Sequence, residues 1–437
     1  MPFANSALFP ITADVSDDRL TLGGCAAVDL AAEFGTPLYV FDEATLRQVC
    51  GEFVGEFGSR YPDTRVLYAS KAFINAALAR LISEEGLGFD VVSGGELAVA
   101  QAADIPPGHI YFHGNNKGAD ELEMALDYGV GRIVVDNFSE LDLLIELARA
   151  RGVVQDVLVR LSPGVDPHTH VHTTTGTLDS KFGFPIETGD GERAIRHAMG
   201  ADSLDLVGVH MHLGSPIFEL EPYAIAIDAV LTFVASRDLD GFELREFSPG
   251  GGFAIGYLRD RLPPSVGSYA EVIVSAFKRR CADLGLGEPT LVVEPGRAII
   301  GRAGVALYSV GSVKDIPGIR KYVSLDGGMG DNIRPTLYDA GYEAVVANRM
   351  SDPPVETVTL AGKFCESGDV LIRDISLPVL ERGDLIAIPA SGAYAPSMAS
   401  NYNLNPRPAI VLVNDGEARL IRRRETYRDM MLSDVVG

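Results

Sequence analysis

The stretch LVGVHMHLG at residues 206–214 shows the pattern on which the fold prediction rests. It is a short run of apolar and β-branched residues that ends in polar and glycine residues, which is typical of a buried strand followed by a loop. Seven more runs share this design, and most are followed by an amphipathic stretch that indicates a helix. These runs are VLYAS (66–70), GFDVVS (88–93), IYFHG (110–114), RIVVDN (132–137), VLVRLS (157–162), LREFSPGGG (244–252) and LVVEPGR (291–297).

Eight strand-then-helix units predict a (β/α)8 barrel, with a doubly wound open sheet as the alternative. The residues that end the strands favour the barrel, because all eight ends of a barrel converge on one mouth, whereas an open sheet brings together only those near its switch point. The polar and glycine residues in question are Lys71, Ser93-Gly94-Gly95, His113 with Asn115-Asn116, Asp136, Arg160, His212, Gly250-Gly251-Gly252, and Glu294 with Arg297. We therefore predict an α/β protein whose barrel spans 42–300.

A second domain is predicted from the C-terminal third of the chain, where strand-like runs follow one another without helices. They are ALYSVGSVKDI, KYVSLDGG, EAVVANR, ETVTLAG, DVLIRDISLPVL, DLIAIPASG, PAIVLVN and EARLIRRR. TPLYVFD (36–42) could add a strand from the other side of the barrel in sequence. The prediction is a mainly antiparallel β domain formed by 1–41 and 301–437.

Composition excludes several classes of partner. The chain has 437 residues, with 37 Lys and Arg against 60 Asp and Glu, and so a net charge of −23 that disfavours nucleic acid and anionic membranes. The four cysteines are far apart and form no CxxC, so neither a zinc site nor a redox pair is indicated. No export signal or membrane span is recognisable, and a cytoplasmic protein is predicted.

Lys71, immediately after the first barrel strand, is the first candidate for chemistry, since a lysine at such a strand end can form a Schiff base. Gly250, Gly251 and Gly252 follow the seventh strand, where this class of barrel usually binds phosphate. Glu294 ends the eighth strand and could keep a pyridine nitrogen protonated. A Schiff-base lysine, a phosphate loop and a ring carboxylate together predict pyridoxal 5′-phosphate (PLP).

Ten motifs extend this prediction, because in this order they resemble those of the diaminopimelate decarboxylase family of alanine-racemase-like PLP enzymes. They are YASKAF, DVVSGGEL, FHGNNK, TGTLDSKFG, GVHMHLGS, GGGF, EPGRAI, DGGMGDNIRPTLYDA, GKFCESGD and GAYAPSMASNYN. The resemblance runs from about residue 36 to the RPAIVLV strand. It implies a barrel plus a β domain, and decarboxylation of meso-2,6-diaminopimelate to L-lysine and CO2 as the last step of lysine biosynthesis.

The resemblance also implies a role for each matching residue. On the cofactor side, Lys71 forms the Schiff base, His212 stacks on the ring, Glu294 bonds its nitrogen, and Ser215, Gly250 to Gly252 and Gly296 lie near the cofactor. On the substrate side, Arg297, Arg334 and Tyr338 hold the carboxylates, Glu366 bonds the distal ammonium, and Tyr394 touches both cofactor and substrate. Cys365 is the expected proton donor, and because CESGD reaches into the partner's site in the family, a homodimer is implied.

One position departs from the family pattern, and three alternative functions stay open. The usual HIGSQ is here HLGSP, so Pro216 removes an amide side chain and a backbone N–H. The alternatives are a decarboxylase of ornithine, lysine, arginine or a related diamino acid of secondary metabolism, a racemase, and a non-catalytic PLP-binding protein. Arg334 beside Tyr338 favours a substrate with a distal carboxylate.

Overall fold

The computed structural model describes residues 3, 5–165, 179–237, 239 and 241–435. Within them, the strands are β1 (Asp14–Ser16), β2 (Arg19–Leu22), β3 (Cys25–Ala26), β4 (Leu38–Asp42), β5 (Thr64–Ala69), β6 (Gly88–Val91), β7 (Ile110–Phe112), β8 (Arg132–Val135), β9 (Gln155–Ser162), β10 (Phe184–Pro185), β11 (Leu204–His210), β12 (Glu246–Gly250), β13 (Thr290–Val293), β14 (Gly304–Ile316), β15 (Arg320–Leu325), β16 (Val345–Val346), β17 (Glu356–Ala361), β18 (Val370–Leu377), β19 (Leu385–Ile388), β20 (Ala409–Asn414) and β21 (Glu417–Arg422).

The α-helices are α1 (Ala27–Phe34), α2 (Glu43–Arg60), α3 (Ala76–Glu84), α4 (Gly94–Ala102), α5 (Ala119–Tyr128), α6 (Phe138–Arg151), α7 (Asp190–Met199), α8 (Glu221–Ser236), α9 (Val266–Leu284), α10 (Arg297–Ile300), α11 (Arg334–Tyr338) and α12 (Tyr427–Met430). Short 3-10 turns occupy Ser6–Leu8, Ser70–Ala72, Pro107–His109 and Tyr402–Leu404. Among the described residues, no helix combines the length and the apolar character needed to cross a bilayer.

The chain forms two compact units. The first contains Met1–Gln48, Ile255–Pro263 and Arg297–Gly437, and the second contains Val49–Ala254 and Pro264–Gly296. The first unit thus takes in a segment, Ile255–Pro263, that follows the seventh barrel strand in sequence. We propose that the folding domains have the bounds predicted from the sequence. These are 42–300 for the barrel and 1–41 with 301–437 for the β domain.

A closed parallel barrel forms the second unit, as predicted. Its strands follow one another in the order β5, β6, β7, β8, β9, β11, β12 and β13, and β13 returns to β5 through the pairing of Leu291 with Thr64. Each of the eight sequence runs supplies one strand, and β10 pairs with β9 as an addition. The interior holds a cluster of six buried side chains from six strands, Leu67, Tyr111, Val134, Leu158, Val207 and Val292.

Below this apolar layer, a charged network closes the amino-terminal end of the barrel. Glu246, at the start of β12, accepts hydrogen bonds from Arg65 at 3.0 Å, from Arg132 at 2.6 Å and from the Tyr111 hydroxyl at 2.8 Å. Arg132 also donates to Asp156 at 2.6 Å. These residues belong to β5, β7, β8, β9 and β12, so the network links five of the eight strands.

Several polar residues at the carboxyl ends of the strands begin the next helix. Ser93 follows β6 and accepts a hydrogen bond from the Glu96 N–H of α4, and Asn137 follows β8 and accepts one from the Glu140 N–H of α6. Such side-chain caps satisfy backbone N–H groups that have no partner within the helix. Part of the strand-end pattern is therefore helix capping and not chemistry.

A buried ion pair joins the end of β7 to α6. Lys117 Nζ lies 2.7 Å from Glu140 Oε1 and donates to the carbonyls of Gly114 and Val134 at 2.8 and 2.9 Å. Burial raises the pKa of Glu140 to about 7, against the opposing effect of Lys117. The pair is therefore most fully ionised on the alkaline side of neutrality.

Replacing Glu140 with glutamine should leave the buried Lys117 ammonium without its counter-charge. We expect Glu140→Gln to lower the free energy of unfolding at pH 8 by about 3 kcal/mol, since removing one partner of a buried pair typically costs about 3–5 kcal/mol. Denaturant titration measures this, with the exposed Glu146→Gln on the same helix as the control. Equal stability of the two variants would contradict the assigned role.

The first unit is a mainly antiparallel β structure, and the β prediction is confirmed. Its sheet runs β18, β17, β15, β14, β4, β20 and β21, with β19 on β14 and β16 on β19. Strand β4, from TPLYVFD, pairs with β14 antiparallel and with β20 in parallel. The run EAVVANR is shorter than predicted, since only Val345–Val346 is a strand. Strands β1 to β3 form a separate three-stranded sheet.

Candidate active site

In the barrel unit, Lys71 is placed by a 3-10 turn that directly follows β5. Its Nζ lies 3.6 Å from Asp90 Oδ2, and the lysine side chain is 41% exposed while that of Asp90 is fully buried. Burial raises the pKa of Asp90 to about 6, which Lys71 opposes and Glu294 reinforces. An amine that a ligand can reach thus lies beside a buried carboxyl group.

Glu294 follows β13 and is held from two sides. Its Oε1 accepts a hydrogen bond from Ser248 Oγ at 2.6 Å, and its Oε2 lies 3.1 Å from His210 Nε2. Burial alone would raise the pKa of Glu294, but His210, His113 and the Ser248 hydroxyl outweigh it, so the pKa lies well below its usual range. The Glu294 side chain is therefore a fixed carboxylate anion.

His113 lies between the two carboxyl groups. Its Nε2 is 3.7 Å from Glu294 Oε1 and 3.9 Å from Asp90 Oδ1, and its ring meets that of His210 edge to face at 4.9 Å. Burial holds the pKa of His113 well below its usual range, against the opposing effect of Glu294. The Nε2 of His113, the Nδ1 of His210 and both oxygens of Asp90 have no hydrogen-bond partner among the described residues.

Donor types that suit a metal meet at this point. His113, His210 and Glu294 place one ligand-type atom each within 4.8 Å of one another. The carboxylate of Glu294 already accepts hydrogen bonds from Ser248 and faces His210. That the protein uses no metal stays a prediction.

The glycine loop at the end of β12 packs so closely against neighbouring backbone that two of its positions require glycine. A Cβ on Gly251 would lie 2.3 Å from the Glu294 carbonyl oxygen, and one on Gly250 would lie 2.5 Å from that of Met211. Gly250 also has a φ of +79°, which side-chain-bearing residues rarely adopt. The Gly251 N–H donates to His212 Nδ1 at 3.2 Å, so His212 carries its proton on Nε2.

Other residues of the predicted set lie in the same unit. A Cβ on Gly296 would lie 2.9 Å from Ala69, the residue that ends β5, so this glycine permits close packing beside the turn of Lys71. Ser215 is half-buried. Arg160, at the end of β9, lies 3.4 Å from Asp136 and stacks on Phe182 at 4.5 Å.

A second cluster, of arginine and tyrosine side chains, lies in the first unit. Arg297 and Arg334 are each 6% exposed. Arg297 donates to the Tyr257 hydroxyl at 2.6 Å and lies over the ring of Tyr394 at 4.7 Å. Arg334 lies over the Tyr257 ring at 4.6 Å and donates to Tyr342. The predicted residues Arg297, Arg334 and Tyr394 are thus brought together around Tyr257.

Arg334 has no carboxylate within 4.0 Å in the part of the chain that the structure describes. The phenols of Tyr257 and Tyr342 raise its pKa against the effect of burial. Tyr338 ends the same short helix and is half-buried. A buried guanidinium that contacts phenol groups and has no carboxylate beside it among the described residues is ready to bind an anion.

The CESGD segment is exposed. The Cys365 N–H donates to Asn403 Oδ1 at 2.7 Å, and the Tyr402 hydroxyl lies 3.4 Å from the Cys365 carbonyl. Asp369, in contrast, accepts from the N–H groups of Met329 and Phe364 at 2.6 and 2.8 Å. Cys365 and Glu366 therefore lie on the surface of this chain, on a loop that Asp369 fixes.

Sequence reasoning missed five of the residues in these clusters: Asp90, His210, Ser248, Tyr257 and Tyr342. It named His113 as a strand-end residue but gave it no role. Two signals could have found some of the five. Asp90 is a charged residue inside an apolar run, and His210 and His212 alternate in HMH at the end of a strand. Residues 166–178 lie outside the described residues, and they include the first four of the TGTLDSKFG motif, 175–178.

The barrel cluster fits PLP. Lys71 offers an amine for the aldehyde of PLP, and Glu294 offers a fixed carboxylate for its pyridine nitrogen. Gly250 to Gly252 offer a glycine loop for its phosphate. Buried nitrogen and oxygen atoms without partners lie beside them, as expected where a polar group of a ligand binds. Fold and site together define a PLP enzyme.

Comparison with known proteins agrees with this class. Residues 47–301 match the family described as pyridoxal-dependent decarboxylase, pyridoxal binding domain. The chain is 48% identical over 418 residues to diaminopimelate decarboxylase of Bacillus subtilis, covering 95% of each, and 44% identical over 430 residues to that of Mycobacterium tuberculosis, covering 95% of this chain and 94% of the relative. The structure of the M. jannaschii diaminopimelate decarboxylase in complex with L-lysine superposes with a TM-score of 0.92 at 36% identity, covering 98% of each chain.

The chain is a PLP-dependent decarboxylase. It belongs to the diaminopimelate decarboxylase family, which confirms the resemblance inferred from the ten motifs.

Proposed function

We propose that this protein decarboxylates meso-2,6-diaminopimelate to L-lysine and CO2, as the last step of lysine biosynthesis. One observation carries the choice of substrate: the buried Arg334 guanidinium has no carboxylate partner among the described residues. Burying an uncompensated charge is costly unless a ligand neutralises it. A distal carboxylate does so, whereas ornithine, lysine or arginine would present a second cation and be repelled.

Bound PLP supplies an electron-withdrawing ring that stabilises the negative charge left on the α-carbon when CO2 departs. Lys71 would hold the cofactor through its amine, and Asp90, at 3.6 Å from Nζ, can stabilise a proton on that amine. Glu294, fixed as an anion by Ser248 and His210, would hold a proton at the ring nitrogen. His212 would contact the ring, and Ser215 with the glycine loop would hold the phosphate.

The remaining roles belong to the first unit. Arg297, Arg334 and Tyr338 hold the substrate carboxylates, Tyr394 contacts cofactor and substrate, and Glu366 bonds the distal ammonium. The bond from the α-carbon to one carboxylate breaks, its electron pair stays on the α-carbon, and the Cys365 thiol supplies the proton that replaces the carboxylate. The thiolate then regains a proton from water.

The test is CO2 release from purified protein with PLP, offered meso-diaminopimelate, L-lysine, L-ornithine and L-arginine. Turnover of diaminopimelate alone supports the proposal. Activity confined to ornithine or arginine would contradict it, and so would binding of PLP without release of CO2 from any of the four.

Assembly and compartment are also part of the proposal. We place the protein in the cytoplasm as a homodimer with sites shared between subunits. The exposure of Cys365 and Glu366 supports the second point, since residues with roles in catalysis lie on the surface of the single chain. All four cysteines are free thiols, as suits a reducing compartment.

Shared sites predict complementation between two inactive variants. Lys71→Ala and Cys365→Ala subunits, mixed under conditions of subunit exchange, should recover up to about a quarter of wild-type activity, because random pairing makes half the dimers mixed and each mixed dimer rebuilds one intact site. Activity after exchange, with native mass spectrometry of tagged subunits to confirm mixing, is the measurement. Demonstrated exchange without any recovery would show that one chain supplies both residues.

A further inference from the structure

Tyr257 occupies a position in the arginine and tyrosine cluster that the proposed function does not use. Its hydroxyl oxygen accepts a hydrogen bond from Arg297 Nη1 at 2.6 Å. The face of its ring lies 4.6 Å from the Arg334 guanidinium and 5.8 Å from that of Arg297. A single phenol thus contacts both of the cations assigned to substrate carboxylates.

Among the described residues, the charged and titratable groups that contact Tyr257 are the two arginines and Tyr342, whose ring lies 5.4 Å away. Burial would raise the pKa of Tyr257, but Arg297 and Arg334 outweigh it and lower the pKa below that of an ordinary tyrosine. Burial raises the pKa of Tyr342, so Tyr257 is the phenol that ionises first as the pH rises.

We propose that Tyr257 is a built-in counter-ion of Arg297 and Arg334, and that its phenolate competes with the substrate's carboxylate for the two guanidinium groups. This inference rests on the proposed function, because it takes these arginines as the carboxylate site. Tyr257 acts through the arginines and is therefore a positioning residue. It makes substrate affinity, and not the bond-breaking step, sensitive to alkaline pH.

The competition follows from the charge on the cluster. With Tyr257 protonated, two guanidinium cations face an incoming carboxylate. Loss of the phenol proton adds a negative charge within hydrogen-bond distance of Arg297, and the pair then attracts a second anion less strongly. One opposing charge at such a separation is expected to weaken carboxylate binding by about 10-fold or more.

Pimelate is a suitable probe, since it is a seven-carbon dicarboxylate without amino groups and keeps both charges throughout the alkaline range. Isothermal titration calorimetry of the PLP-loaded protein from pH 7 to pH 10.5 should show the Kd of pimelate rising by about 10-fold or more. Tyr257→Phe keeps the ring over Arg334 and removes only the hydroxyl. The Kd of pimelate for this variant should therefore change much less over the same pH range. Tyr342→Phe is the matched control and should keep the wild-type dependence.

Proton uptake gives a second readout that a merely structural role would not move. If the carboxylate binds the form with a protonated phenol, pimelate binding near the pKa of Tyr257 takes up as much as one proton per site. Titrations in two buffers of different ionisation enthalpy measure this uptake, which should be lost in Tyr257→Phe and kept in Tyr342→Phe.

Three outcomes would overturn the inference. They are a parallel pH dependence in the wild type and Tyr257→Phe, equal proton uptake by the two, and no binding of pimelate at pH 7 by a preparation that decarboxylates diaminopimelate. Failure of that preparation to release CO2 from diaminopimelate is a separate result, which contradicts the proposed function.

Discussion

The Lys71→Ala protein is expected to lack the yellow, borohydride-reducible cofactor adduct of the unsubstituted protein and to lose decarboxylase activity by roughly 10⁴-fold or more, as when a covalent nucleophile is removed. The reason is that Lys71 places an accessible amine 3.6 Å from Asp90, at the strand end of the barrel cluster that fits PLP. Absorbance, borohydride reduction and peptide mass spectrometry measure the adduct, and CO2 release measures the rate.

Lys278→Ala is the control, because this lysine is exposed on α9 and should leave colour and rate unchanged. An alanine variant at Lys71 that kept the reducible adduct at full occupancy would show that another lysine carries the cofactor. The assignment of Lys71 would then be wrong.

Arg334→Ala is expected to lower kcat/KM on meso-diaminopimelate by about 30-fold to several thousand-fold. This corresponds to the ~2–5 kcal/mol lost when one partner of a buried charge pair is truncated. Cofactor colour should be unchanged, since the proposal assigns Arg334 to a substrate carboxylate and the cofactor to Lys71, Glu294 and the glycine loop. L-Lysine lacks the distal carboxylate, so the ratio of kcat/KM for diaminopimelate to kcat/KM for L-lysine should be smaller in Arg334→Ala than in the wild type.

Two further variants sharpen this test. Arg334→Lys keeps the charge but not the two-pronged geometry of a guanidinium, and should fall between wild type and alanine. Arg373→Ala removes an exposed arginine of β18 and should have no effect. Undiminished efficiency of Arg334→Ala would place the distal carboxylate elsewhere, most simply on Arg297.

The barrel could be predicted from the sequence because each strand is a short apolar run closed by a polar or glycine residue. The proposed cofactor residues were found by the same reasoning, since Lys71, the glycine loop and Glu294 lie at or just after the end of a strand. Ser93 and Asn137 show the limit of this argument: they occupy the same kind of position but cap helices. Position relative to a strand does not separate the two roles.

Contacts between distant segments could not be read in this way. Tyr257 follows the seventh barrel strand in sequence, yet it belongs to the same compact unit as Arg297 and Arg334 and packs with them, and only the folded chain shows this. His113 lies near both Asp90 and Glu294, and the three residues come from β6, the end of β7 and the end of β13. No local sequence pattern encodes these contacts, because each joins segments that are distant in the sequence.

The network around Glu246 has a consequence for how new activities could arise on this scaffold. It ties five strands together at the amino-terminal end, whereas Lys71, Glu294 and the glycine loop lie at the carboxyl ends. Loops at the carboxyl ends of the strands can then be exchanged, lengthened or randomised without changing the charged residues that link the strands at the amino-terminal end. Directed evolution that leaves Arg65, Arg132 and Glu246 intact should therefore retain more folded variants than a library that includes them.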